Sequence, residues 1–208
     1  MVVVRGVPWW GVVSSSAAPV LLAGGWTVAA GLQPGSFDAV SRTISALAAE
    51  GAADRWVMTV AILGVGACHV LTGLALRPAA PAGRFILMAG GIAGMLVAAN
   101  PEPARGSSLA HGFWAACCFI ALTVWPAASW RRGSGVPYGL RPAVSASAAG
   151  VLLCLLAWFE AELITGAGQV GLAERILAET QALWPLAVIL TARSRPHPRM
   201  SPDAAARA

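Results

Sequence analysis

The stretch WVMTVAILGVGACHVLTGLAL, Trp56–Leu76, runs for twenty-one residues without a charged side chain. At a helical rise of 1.5 Å per residue it is about 30 Å long, the thickness of a bilayer's hydrocarbon core. Barrel strands are far shorter, ~10-residue segments that alternate polar and apolar. Working outward from this stretch, five more segments approach the same length: Val12–Leu32, Ala79–Ala99, Ala110–Ala128, Ala143–Ile164 and Ile176–Ala192. The segment Ala79–Ala99, third along the chain, includes Arg84, whose side chain is expected to snorkel to the interface. The last opens with Glu179 and Gln181 and is expected to pack inside the bundle. The fold class expected is therefore all-α, a polytopic membrane bundle of six transmembrane helices.

Composition agrees. Of 208 residues, 57% are hydrophobic and 11% charged, and the mean hydropathy is +0.69. Soluble domains carry about 25% charged residues, and disordered chains have low hydropathy, so both classes are excluded. Residues 1–193 form one membrane domain in this reading. The segment 194–208, rich in Arg, Pro and Ala, is expected to be a disordered cytoplasmic tail.

All fourteen basic side chains are arginine. Only Arg42, Arg55, Arg105 and Arg175 lie in the odd-numbered loops, which also hold Asp38, Glu50, Asp54, Glu102 and Glu174. The positive-inside rule then places both termini in the cytoplasm. The first span is expected to stay uncleaved. Val28-Ala29-Ala30 loosely resembles a signal cleavage site, but the apolar run before it is long for a leader. The pI near 9.8 does not imply nucleic acid, since the arginines are dispersed over short loops where they meet lipid headgroups. Trp9, Trp10, Trp56 and Trp130 sit at span ends, as an aromatic belt does.

Cys68, Cys117, Cys118 and Cys154 fall within spans and lack ligand-pair spacing, so they read as packing residues. No metal or cofactor is expected. Helix packing is expected to use Gly90 and Gly94 in the third span, and the smooth run Ser145–Gly150 in the fifth. No internal repeat of the kind transporters carry is evident.

Polar chemistry collects on the outer side. His111 opens the fourth span, followed by Phe113 and Trp114; the fifth ends with Trp158-Phe159-Glu160-Ala161-Glu162; Glu179 lies about a turn inside the sixth. Glu160 and Glu162 point in different directions on a helix, and Glu160 is the one expected to enter the bundle. Glu179 would need a partner such as Arg42, Arg105 or Arg175. Trp26 and Trp56 stand at similar heights. The His69 side chain, deeper in the second span, reads as an interhelical hydrogen-bonding residue. In the long first outer loop, Phe37, Val40, Ile44 and Leu47 recur with helical period, opposite Asp38, Ser41, Arg42 and Ser45. An amphipathic helix is expected there, with an Asp38–Arg42 ion pair, lying on the headgroups or roofing a pocket.

These segments resemble the uncharacterised bacterial integral membrane family called domain of unknown function 998. The resemblance rests on Phe37-Asp38-Ala39-Val40-Ser41-Arg42-Thr43-Ile44-Ser45-Ala46-Leu47, on Leu109-Ala110-His111-Gly112, and on Gly171-Leu172-Ala173-Glu174-Arg175 with Trp184-Pro185. It implies a six-span bacterial membrane protein and no established activity. It directs attention to Asp38, Ser45, His111, Glu174 and Arg175. A weaker comparison, with the membrane hydrolases that include alkaline ceramidases, finds only His69 and His111 at the membrane, too few for a three-histidine zinc site.

The functional expectation is an outward-facing acidic and aromatic pocket in a membrane-embedded acid/base enzyme acting on a lipid or isoprenoid-like substrate, for example a proton-initiated cyclase. A carboxyl desolvated by aromatic walls keeps its proton near neutral pH, and aromatic faces stabilise a developing cation. Asp38 or Glu160 is the expected acid, with Glu179 as second choice, and His111 the base or orienting group. Phe37, Ser41, Arg42, Ser45, Trp26, Trp114, Trp158, Glu174 and Arg175 are the expected substrate contacts. The alternatives are a carrier of protons or small molecules, with His69 and Glu179 stepping inward, and a non-catalytic subunit or assembly factor that binds lipid, a partner membrane protein or a second copy. No nucleotide, phosphate-loop or protease motif is present.

Overall fold

Prolines and small residues set where the helices start and stop. The computed structural model describes residues 6–193. Seven α-helices follow in order: α1 (Trp9–Gly31), α2 (Ser45–Ala48), α3 (Trp56–Ala75), α4 (Pro81–Ala99), α5 (Leu109–Ser129), α6 (Pro142–Thr165) and α7 (Val170–Arg193). A 3-10 turn, Tyr138–Leu140, precedes α6, and no strand occurs among the described residues. Pro81 and Pro142 occupy first-turn positions, where a missing N–H costs nothing. Gly166, at φ 64°, ends α6 in the left-handed conformation, its N–H donating to the Glu162 carbonyl.

The six long helices pack as a closed ring, α1 on α3, α3 on α4, α4 on α5, α5 on α6, α6 on α7 and α7 back on α1. Helix α7 also touches α3 and α5, so it leans inward, as its polar residues led one to expect. Five helices, α1, α3, α4, α5 and α6, are long and apolar enough to cross a membrane. Helix α7 has the length, at 24 residues, but carries Glu174, Arg175, Glu179 and Gln181. The segment 194–208 lies outside the described residues.

Packing follows the small residues in one place and not in another. A Cβ added to Gly66 on α3 would lie 2.5 Å from the Gly91 carbonyl oxygen on α4, and the converse holds for Gly91. These two backbones touch, which only glycine permits. The Ser145–Gly150 run does not serve close approach inside the bundle. Ser145 is buried, its Oγ donating to the Gly139 carbonyl, but Ala146, Ser147 and Gly150 face outward, and nothing lies within 4 Å of a Cβ at Gly150. Arg84 donates to the Gly73 and Leu74 carbonyls, capping the end of α3.

The first outer loop also departs from expectation. Only Ser45–Ala48 is helical. Upstream, the Asp38 carboxylate accepts from the Val40 N–H at 2.9 Å, the Ser41 N–H at 3.4 Å and the Ser41 hydroxyl at 2.6 Å. With the Arg42 N–H donating to the Asp38 carbonyl at 3.0 Å, these contacts cap a single turn that does not continue as helix. The Asp38–Arg42 ion pair is absent, and the Arg42 guanidinium lies over the Phe37 ring at 4.6 Å. Ile44 and Leu47 are buried as their spacing implied, while Val40 is exposed.

Candidate functional site

Helix α7 fastens the first loop to the bundle. Gly171 lets the loop lie against the helix: a Cβ there would stand 2.7 Å from the Ala39 carbonyl oxygen and overlap that of Arg42. The Leu172 N–H donates to the Val40 carbonyl at 3.0 Å. Arg175 Nη1 donates to the carbonyls of Ala39 at 2.8 Å, Arg42 at 2.7 Å and Gly171 at 2.8 Å. Its guanidinium is stacked near the rings of Trp26 and Phe37, each 5.8 Å away. The Glu174 carboxylate accepts from the Ile44 N–H. Glu174 and Arg175, which could have been a solvated loop pair, are both buried. They hold residues 38–45 as a strap across the start of α7.

The strap delivers Ser45 to His111. Ser45 Oγ lies 3.1 Å from His111 Nε2. His111 Nδ1 lies 2.9 Å from the Asn100 carbonyl oxygen at the end of α4. A carbonyl can only accept, so Nδ1 carries a hydrogen, and in the neutral ring Nε2 then presents its lone pair to the serine hydroxyl. Helix α5 sets the ring's position, since its N-cap Ser108 Oγ accepts from the His111 N–H at 3.2 Å. Glu102 adds negative charge: its Oε1 stands 3.7 Å from Nε2, and its Oε2 accepts from the Ser108 N–H at 3.0 Å.

Two cavities meet here. The outer one, about 660 Å³, is lined by Ser45, His111, Arg42, Glu50, Glu102, Glu160 and Glu174, with Phe119 and Phe159 among its apolar walls. Ligand sites commonly span ~300–1,000 Å³. The inner one, about 90 Å³, runs down the bundle between Ile44, Ile62, Val65, Gly66, Gly90, Leu122 and Ala178 to His69 and Gln181. Ser45, Phe119 and Glu174 line both. At the floor, Gln181 Nε2 donates to the Phe119 carbonyl and Thr123 Oγ1, each at 3.0 Å, leaving Oε1 without a partner.

Ser45, His111, Glu160, Glu174 and Arg42 thus share one hollow. Glu160 is exposed at its rim, and Phe159 turns inward in its place, burying 94% of its surface. Glu162 is occupied by the Gln169 N–H at 2.9 Å. Asp38 and Ser41 belong to the turn and are exposed. Trp26 and Phe37 support Arg175; Trp114 rests edge-on against Phe113, centroids 4.9 Å apart; Trp158 joins the cluster around Phe159, Ala173 and Leu177. None of these aromatics lines either cavity. The walls are Phe119 and Phe159, 5.2 Å apart and tilted at 52°. Glu179 Oε2 has no hydrogen-bond partner, and none of the arginines considered for it pairs with it.

Sequence reasoning passed over Glu102, the Asn100 carbonyl, Phe119 and Gln181. The spacing of His111, Ala115 and Phe119 along one helix face was the available signal for the phenylalanine. Among the described residues, no group of three or more His, Cys, Asp or Glu side chains is placed to hold a metal ion.

Apolar helices in a closed ring, with a half-buried serine–histidine contact under an acidic hollow, define a multi-pass helical membrane protein. Residues 16–191 match the family model described as "Protein of unknown function (DUF998)", and the chain belongs to that family. No curated protein matches it, and no solved structure does.

Proposed function

We propose that the protein is a membrane-embedded acid/base enzyme acting on a lipid or isoprenoid-like substrate from the outer side of the bacterial cytoplasmic membrane. In this reading α7 is the sixth span and both termini are cytoplasmic, following the arginine distribution. The observation that carries it is His111, held by the Asn100 carbonyl with Nε2 aimed at Ser45 where a wide polar cavity meets a narrow apolar one. A base fixed in one tautomer beside a hydroxyl is the arrangement that general base catalysis uses. Glu102 Oε1 stands 3.7 Å from Nε2, the atom that would take the proton. An amphiphile fits both halves, its polar end in the outer cavity and its chain below.

The experiment is turnover of a bacterial lipid extract by purified protein in nanodiscs, followed by mass spectrometry. His111→Gln is expected to lower the rate by about 10²–10⁴-fold, the usual worth of a general base. Wild-type rates in both His111→Gln and Glu102→Gln would refute the reading.

One observation favours a second role, as a subunit that binds a partner helix. The small residues of α6 face outward beside an apolar groove lined by Val144, Ser147, Val151, Leu152 and Trp184. A membrane protein co-purifying in fixed ratio would support it.

A further inference from the structure

We infer that Ser45 is a nucleophile that takes an acyl group from a lipid ester whose headgroup is uncharged or cationic; this rests on the acid/base reading of His111. Three features lead there. The first is the order of contacts: the Asn100 carbonyl orients His111, and His111 Nε2 accepts from Ser45 Oγ. Nucleophile, base and orienting group in that sequence is the geometry of serine acyl transfer, with a backbone carbonyl where many such sites place a carboxylate. The second is the placing of Ser45 on the boundary of both cavities, so a carbonyl at its oxygen has its chain below and its alcohol part above.

The third is charge. Glu50, Glu102, Glu160 and Glu174 line the outer cavity against Arg42 alone. With Glu174 set aside, since it is buried beside Arg175 and held by the Ile44 N–H, three carboxylates facing one guanidinium repel a phosphate headgroup and accept a hydroxylated or amino one. The inner cavity sets the other end. Its α3 lining runs from Ile62 to His69, about 10 Å of helix rise, and its volume is only about 90 Å³. A single slim aliphatic segment fits, and a branched or ring-bearing chain does not.

The chemistry balances with water as co-reactant. Ser45 Oγ attacks the ester carbonyl carbon while its proton passes to His111 Nε2. The tetrahedral centre collapses, the bond from carbonyl carbon to alcohol oxygen breaks, and Nε2 returns the proton to the departing alcohol. Water from the outer cavity then attacks acyl-Ser45, giving its proton to Nε2. The bond to Oγ breaks, a carboxylic acid leaves, and the serine hydroxyl is restored. Glu102 and the Asn100 carbonyl act as positioning groups: each approaches the imidazole and neither touches the reacting atoms.

The test uses the full chain in nanodiscs and an alkyl fluorophosphonate, which a serine activated by a base attacks with loss of fluoride. Intact mass and peptide mapping are expected to show one phosphonyl group, on Ser45. It should be absent in Ser45→Ala and form about 100-fold more slowly in His111→Gln. Labelling elsewhere, or none on protein that melts cooperatively, overturns the proposal, as does an unchanged rate in His111→Gln. Hydrolysis of monooctanoylglycerol, whose chain matches the length of the inner cavity, is expected to exceed that of lysophosphatidate bearing the same octanoyl chain at least tenfold; equal or reversed rates, or hydrolysis of neither, overturn the substrate assignment. Lipid-extract turnover that needs His111 but survives Ser45→Ala removes the nucleophile and leaves the acid/base reading standing. Turnover that needs neither residue removes both.

Discussion

Replacing Gly171 by alanine sets a methyl group against the strap that carries Ser45. The new Cβ would overlap the Arg42 carbonyl oxygen and stand 2.7 Å from that of Ala39. Both obstacles are backbone atoms, so neither rotates away, and the strap must lift. Overpacking of this kind costs ~1–3 kcal/mol. Lifting also weakens the bonds from Arg175 to the same two carbonyls, and a hydrogen bond from a charged donor is worth ~1.5–3 kcal/mol. Alanine's better helix propensity offsets about 1 kcal/mol. With one of the two bonds lost, the net destabilisation is ~1.5–5 kcal/mol, a fall in Tm of roughly 10 °C for a chain of this size.

Thermal unfolding of the full chain in mild detergent measures this, followed by circular dichroism. The rate at which a maleimide reaches Thr43→Cys reports lifting of the strap independently. Gly150→Ala is the control, since nothing lies within 4 Å of its Cβ, and it should melt at or slightly above the wild-type temperature. A Gly171→Ala protein melting within about 2 °C of wild type, with Thr43→Cys no more reactive, would refute the account of how the strap is fastened.

Arg175→Met leaves the Ala39 and Arg42 carbonyls without their donor, so it should destabilise by ~1–3 kcal/mol and speed proteolysis within residues 36–44. The Ser41 hydroxyl, and then the Val40 N–H, hold the Asp38 carboxyl below its ordinary value of 3.8. Its contribution to the turn is therefore complete above that value and is lost as pH falls through the lower folded one. Strap accessibility in wild type should rise only in that acidic range, and in Asp38→Asn it should be raised and flat with pH. Lipid turnover by Asp38→Asn should stay within a few-fold of wild type, a loss as deep as that of His111→Gln returning Asp38 to the reaction. Thr72→Val removes the partner of the buried Ser14 hydroxyl, 2.9 Å away between α1 and α3, and should lower Tm by a few degrees, about 1 kcal/mol.

The helices were legible because what makes them is local. Twenty apolar residues in a row cannot satisfy their backbone in lipid except by bonding within the segment, so Trp56–Leu76 announces itself without reference to any neighbour. The same is true of the inward lean of α7, whose Glu179 and Gln181 leave it ill suited to face lipid. The candidate site was half legible. Ser45, His111 and Glu174 stood out as polar residues on one side, and Phe37, Asp38 and Arg42 marked the right loop. Their roles did not follow, because helical period alone said nothing of Asp38 capping a lone turn or of Glu174 and Arg175 reaching back to hold the loop.

Only the tertiary structure decided which polar groups meet. Ser45 and His111 are 66 residues apart, and Ile44 and Glu174 are 130 apart. Apolar composition commits a segment to the membrane, but a hydrogen bond needs atoms within about 3 Å at a set angle. Here that placement depends on the ring of helices, on the Gly66–Gly91 approach, and on a glycine at position 171 that lets the strap lie down.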